Sequence, residues 1–285
     1  MGAIDDIRRA AFELRQSDPQ EAVRVLRRAA AEGGETEVLA RGALGEIYLE
    51  EFGDLDAAAS EFRKVLLAAP GLVAAEIGLA RTRREAGNLA EAEAGFARAI
   101  EGLARDLVGF RESKELPPGA EEVALTLLEV AVELVELRKG PVPLDEEILS
   151  WAAEQRLFDA EGDADDWVRF HSLWTELRLR TGRSEEALAA VREAERGGQI
   201  PPEEAARLLS LALEELGDAP RAGAEARRRL LLLEPPWPVG EVVRASKLLS
   251  DPELLQRAAS QWPVDSDEAR LLGAPQVVRL GAKKK

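Results

Sequence analysis

Residues 43–70, ALGEIYLEEFGDLDAAASEFRKVLLAAP, are followed by residues 78–105, GLARTRREAGNLAEAEAGFARAIEGLAR, and the second stretch copies the first. Gly53 is answered by Gly87, Leu55 by Leu89, Ala58 by Ala92 and Phe62 by Phe96, each 34 residues further on. A fixed period of this size marks a solenoid, in which each unit buries its apolar face only against its neighbours.

The chemistry of one copy explains the order of its residues. Leu44, Gly45 and Tyr48 share one face of a helix, since positions three and four apart are neighbours there. Gly53 ends that helix, because the terminal residue is often left-handed and glycine adopts that conformation without a Cβ penalty. Leu55, Ala58, Phe62 and Val65 then form a second apolar stripe, and Pro70 closes the unit. Alanine at 58 lets two helix backbones approach to roughly 8–10 Å; a large side chain there would overpack the contact, at about 1–3 kcal/mol.

Leu44, Gly45, Tyr48, Gly53, Leu55, Ala58, Phe62 and Pro70, with one extra residue before Gly53, resemble the tetratricopeptide repeat family. The next copy keeps Leu79, Ala80, Gly87, Leu89, Ala92, Phe96 and Ala99. It departs at Arg83, where the family usually has an aromatic residue, and at Ala104, where it usually has proline. The resemblance implies an all-α fold, a right-handed α-α superhelix of about six helical hairpins with a C-terminal helical cap. It also implies a concave groove lined by the first helix of each pair. The groove positions would then be Glu46, Leu49 and Glu50, next Ile77, Arg81 and Arg84, and farther along Arg169, Glu176, Arg180, Arg207, Leu211 and Glu214. The family's carboxylate clamp uses Lys and Asn at such positions and this chain has neither there, so the resemblance does not extend to binding chaperone C-terminal tails. Arg81 and Arg84 are expected to meet acids on a partner, and their reversal to Glu to weaken capture while sparing the melting temperature.

The flanking sequence carries weaker copies. Residues 3–34 read as a hairpin turning at Ser17-Asp18-Pro19, with Ala22, Leu26 and Ala29 in the places of Ala58, Phe62 and Val65. The helix from Leu89 runs on through Leu103, Leu107 and Phe110, and residues 114–119 then break it as a linker or kink. Residues 1–113 are thereby the N-terminal repeats, and 120–273 the degenerate C-terminal repeats and cap. Residues 120–138 are apolar nearly all round and read as a buried helix, partnered by a helix over 144–160 containing Ile148, Trp151, Leu157 and Phe158. Asp165-Asp166 reads as the cap of a helix starting at Trp167. Gly182 and Gly217 lie 35 apart, so the period returns over 165–235. Short helices over 239–273 would close the stack, and residues 274–285, ending in Lys283-Lys284-Lys285, read as a disordered basic tail.

Composition bounds the function. The chain has 285 residues, 46% apolar, with no cysteine, which removes disulfides, thiolate chemistry and the usual zinc sites. A formal net charge of −16 argues against nucleic acid, since phosphate contacts need clustered Lys and Arg, and leaves room for a basic partner. No run of about eighteen apolar residues exists, so no membrane insertion is expected, and no secretory leader is evident at the start. A cytoplasmic location follows as the default. Arginine in preference to lysine is the usage of GC-rich bacterial genomes.

No constellation points to catalysis or to a cofactor. His171 is the single histidine, and a general base needs a nucleophile or an orienting carboxylate; its place on a first helix favours packing over chemistry. Asp159, Glu161, Asp163 and Asp165 alternate as calcium ligands do, but the twelfth position, which needs a bidentate Glu, is Phe170. There is no GxGxxG and no GxxxxGK[ST]. All five tryptophans lie in the second half and mainly serve as core. The leading expectation is a non-catalytic scaffold or adaptor holding a protein or peptide segment in the groove, with homo-oligomers possible. A regulatory repeat domain that senses a ligand or signalling protein is the alternative, and a carboxylate-only enzyme the third reading.

Overall fold

The computed structural model describes residues 2–113, 117, 119–140, 142, 144, 146–154, 164–263 and 266–272. Among them every regular element is helical. Contacts divide the chain into two compact units, 1–160 and 161–285.

The first unit opens with α1 (Ala3–Arg9), a π-helical turn over Ala10–Leu14 and the short α2 (Arg15–Ser17), then α3 (Pro19–Ala30). Asp18 caps α3 by accepting the backbone N–H of Glu21 at 3.0 Å, and Pro19 occupies the first turn, where its missing N–H costs nothing. The two copied hairpins follow as α4 (Gly34–Glu50) with α5 (Leu55–Ala68), and α6 (Val73–Glu85) with α7 (Leu89–Glu112). The unit ends with α8 (Ala120–Arg138) and α9 (Glu146–Glu154). Each helix packs on the next, and α4 also touches α6, so first helices of successive hairpins lie side by side. α7 and α8 pack together across the break at 113–119.

The second unit contains α10 (Ala164–Arg180), α11 (Ser184–Arg196), α12 (Pro202–Glu215) and α13 (Ala219–Leu232), then α14 (Val239–Leu249), α15 (Pro252–Ala259) and α16 (Asp267–Leu271). α10 touches α12, repeating the first-helix contact of the other unit. The last three helices close over Ala226 and Leu230 with Val242, Ala245, Leu254 and Ala258. α10 begins at Ala164, so Asp165 and Asp166 lie in its first turn, where acids face the positive helix end, and do not precede it. Residues Leu157 and Phe158, the alternating acids from Asp159 to Asp163, and the tail 274–285 lie outside the described residues, as does most of 114–119.

The turns explain the period. Gly53, Gly87, Gly182 and Gly217 all have positive φ, between 62° and 77°. In each case the next residue donates its N–H to a carbonyl five or six positions back: Asp54 to Tyr48, Asn88 to Arg83, Arg183 to Arg178 and Asp218 to Leu213, at 2.8–2.9 Å. For the last three this is the long bond of a Schellman cap, which satisfies a carbonyl the helix end would leave orphaned; the extra residue before Gly53 widens it by one.

The core is built on small residues opposite large ones. Ala58 and Ala92 are fully buried, as is Phe96, while Phe62 is 2% exposed. The Phe62 ring lies between Gly45 of α4 and Gly78 of α6: a Cβ at either glycine would stand 2.7 Å or 2.4 Å from ring carbons. One aromatic side chain thus joins its own hairpin to the next. In the first hairpin Ala22, Leu26 and Ala29 are buried in the corresponding places. α8 buries ten residues, from Ala120 to Val135, as its nearly continuous apolar sequence demands.

Candidate binding groove

α4, α6 and α8 of the first unit line a concave groove of about 530 Å³. Five of the six sequence-predicted positions in this unit face it: Glu46, Leu49 and Glu50 from α4, Ile77 and Arg81 from α6. Arg84 lines an adjoining hollow with Leu49, Glu50 and Arg81. α8 adds Glu122, Val123, Thr126 and Glu129, residues that sequence spacing alone did not place, because the repeat degenerates there. Leu49 and Val123 are half-buried and Ile77 is buried, so the floor is aliphatic with charged edges.

The arginines are already engaged. Arg81 donates through Nε and Nη2 to one Glu133 oxygen at 2.9 and 2.5 Å, and Arg84 donates through Nη1 to the other at 2.7 Å. Glu133 is 16% exposed, so its carboxylate needs those donors. This clamp ties α6 to α8 and leaves neither guanidinium waiting for a partner's acid. The expected outcome of reversal changes accordingly. Arg81→Glu with Arg84→Glu removes both donors and sets three carboxylates together. With the arginines about one-third exposed, a destabilisation of about 1–3 kcal/mol is expected, visible as a lower melting temperature in calorimetry. An unchanged melting temperature would show the clamp to be incidental.

On the α4 side Arg15 donates to Glu51 at 2.7 Å and to Glu50, and stands 3.8 Å from Glu46. The Glu46 side chain is just over half exposed, yet set into a concave wall. Lost solvation raises its carboxyl above the usual range; Glu50 adds to the rise, and Arg15 and Arg81 oppose it.

In the second unit the predicted positions fall on α10 and α12, and most are bound within the unit. Arg180 donates to Glu176 at 2.6 and 2.9 Å. Arg207 donates to Glu204, which also accepts from Ser172 at 2.8 Å and from Arg229 at 3.2 Å. Burial opposes ionisation of Glu204, but these donors outweigh it and hold its carboxyl below the usual range. Glu214 accepts from Arg244 of α14 at 2.7 and 3.0 Å. Arg169 is exposed and Leu211 half-buried.

His171 is 6% exposed, stacked on Trp167 at 5.4 Å and edge-on to Phe170 at 5.5 Å. Its Nε2 is buried with no hydrogen-bond partner. Desolvation, then the positive charge of Arg178, push its pKa down to about 4, against a hydrogen bond with Gln199. The ring is a core side chain. Trp167 and Trp174 are buried with it, while Trp237 and Trp262 pack partly buried on the terminal cluster. Among the described residues no group of His, Asp or Glu could hold a metal ion, and no helix is long and apolar enough to cross a membrane.

No family model matches the chain, and no curated protein matches it. Among solved structures it is similar to the "Assembly Chaperone of RpL4 (Acl4) (Residues 1-338)", at 20% identity and a TM-score of 0.46, over 96% of this chain and 94% of that one.

Proposed function

We propose that this chain is a tetratricopeptide-type repeat protein that acts without catalysis, as a scaffold holding a peptide or protein segment in the groove of its first unit. The observation that carries the reading is the groove itself: first helices of successive hairpins set Leu49, Ile77 and Val123 into one concave floor within reach of solvent. The left-handed Gly53, Gly87, Gly182 and Gly217 at the helix ends and the buried Ala58 and Phe62 support the repeat assignment.

The test is a random peptide display library panned on the full chain, with selected peptides remeasured on Leu49→Ser/Val123→Ser. Each half-buried aliphatic residue still offers surface worth about 1 kcal/mol to a ligand, so losing both is expected to weaken binding roughly 30-fold. The folded signal in circular dichroism should be retained. Peptides that bind the double variant as tightly as the parent chain would remove the groove from the function.

A further inference from the structure

We propose a second binding site on the first unit, apart from the groove: a hollow between α3 and α4 that takes a carboxylate carried beside an aromatic ring. The site stands or falls independently of the groove reading.

The hollow, of about 610 Å³, lies between the turns of the first two hairpins, with α3 on one side and the C-terminal end of α4 on the other. That volume suits a small ligand or a few side chains. Leu49 faces the groove, whereas Tyr48, about 100° round the helix, faces α3, with Phe52 just past the helix end. Tyr48 is 9% exposed and Phe52 41%, their ring centroids 6.1 Å apart, and the buried Val23 lines the hollow beside them. Phe52 stands in the turn with the extra residue; Ala86, Thr181 and Leu216 hold its place before the other three glycines.

Free donors, more than net charge, define what fits. Arg24 is matched by Glu21 at 2.6 Å, and Asp54 accepts the backbone N–H of Ala57 at 3.0 Å as the cap of α5. Arg27 is different. It donates through Nη2 to the Tyr48 hydroxyl oxygen at 2.6 Å, with its Cζ 6.0 Å from the centre of that ring, and among the described residues no carboxylate pairs with it. That single bond leaves one edge of the guanidinium fork whole, and the Tyr48 oxygen, having accepted, still has its own proton to give. Two parallel N–H groups match the two oxygens of a carboxylate, and the tyrosine O–H is a third donor nearby. Tyr48 also holds the fork in place before a ligand arrives, which lowers the cost of ordering it. A neutral carbonyl offers one oxygen and no countercharge. The second charge of a phosphate meets Asp54 in the same hollow. An aromatic ring beside the carboxylate would cover the open part of Phe52 and extend the tilted pair that it makes with Tyr48.

Tyr48 is the single tyrosine of the chain, so isotope-labelled tyrosine gives the full chain one phenol signal, placed in this hollow, for nuclear magnetic resonance. The probes are end-blocked glycine peptides with a central Glu-Phe, Gln-Phe, Glu-Ala or phosphoserine-Phe pair, and free phenylpropionate. The Glu-Phe peptide is expected to shift the Tyr48 signal saturably and to bind about fivefold tighter, or more, than the other three peptides. Phenylpropionate tests the source of the same chemistry: binding as tight as the peptide supports the site as one for a free acid, weaker binding as one for a protein segment. Arg27→Gln should weaken the Glu-Phe peptide about tenfold, and Arg27→Lys, which keeps the charge and loses the fork, about fivefold. Phe52→Ala should weaken it about fivefold as well. Both residues are exposed, so the variants should keep the parent's circular dichroism. Arg28→Gln removes the same charge from the next residue of α3, which lines a different hollow, and should change binding less than about twofold. Equal losses in Arg27→Gln and Arg28→Gln would mean diffuse attraction and overturn the proposal. So would tightest binding by the Gln-Phe or phosphoserine peptide, or a Tyr48 signal that none of the probes moves.

Discussion

Phe62→Ala is expected to lower the unfolding free energy of the first unit by about 3–5 kcal/mol, the range for deleting a buried aromatic ring. The loss should fall toward the upper end, because the ring fills a slot whose walls are glycines and cannot close by rotating side chains. Gly78→Ala probes the same slot from the other wall. Its new Cβ would stand 2.4 Å from the ring, so overpacking of about 1–3 kcal/mol is expected. Combined with Phe62→Leu, that alanine should cost less than the two single changes added, since the smaller side chain vacates the clash. Urea titrations of the four proteins decide it. Strict additivity would mean the ring and Gly78 do not share the slot.

The second large effect is acid lability centred on His171. An unfolded histidine titrates near 6.5, whereas the buried ring has a pKa of about 4. Between those values the unfolded chain binds the proton and the folded chain does not. Stability is therefore full above about pH 6.5, falls by about 1.4 kcal/mol per pH unit below it and levels off near pH 4, a total of about 3 kcal/mol. Protonation of Glu204, whose carboxyl is held low, adds a loss in the same direction at still lower pH. His171→Phe keeps an aromatic face on Trp167 and removes the titration. Its melting temperature should be nearly flat from pH 7 to 5, while that of the parent chain drops. His171→Gln, which cannot stack as well, should be flat too but lower throughout. A parent profile that matches both variants would place the acid response elsewhere.

Much of the fold is legible in residue order because its cause is local. Gly53, Gly87, Gly182 and Gly217 stand where a helix must end left-handed, and any turn of that kind selects glycine. Ala58 and Phe62 are set by the spacing of a helix face, and Asp18-Pro19 by the needs of a helix start. The candidate site was legible by position and not by chemistry. Glu46, Leu49, Glu50, Ile77 and Arg81 face one groove, as a repeat frame requires. That Arg81 and Arg84 bind Glu133 could not be read, because about fifty residues separate the partners and no periodicity couples them. The α8 wall was missed for a related reason: a helix apolar on nearly every side gives no pattern that marks its groove-facing positions. The π-helical turn at Ala10–Leu14 left no residue signature.

The Glu133 clamp bears on kinetics. Because Arg81 and Arg84 already bolt α6 to α8 through Glu133, the segment proposed to bind would find its seat assembled, with no ordering step to wait for. Under the proposed function, capture would then need no prior ordering of these helices, so the observed association rate should rise linearly with peptide concentration without levelling off.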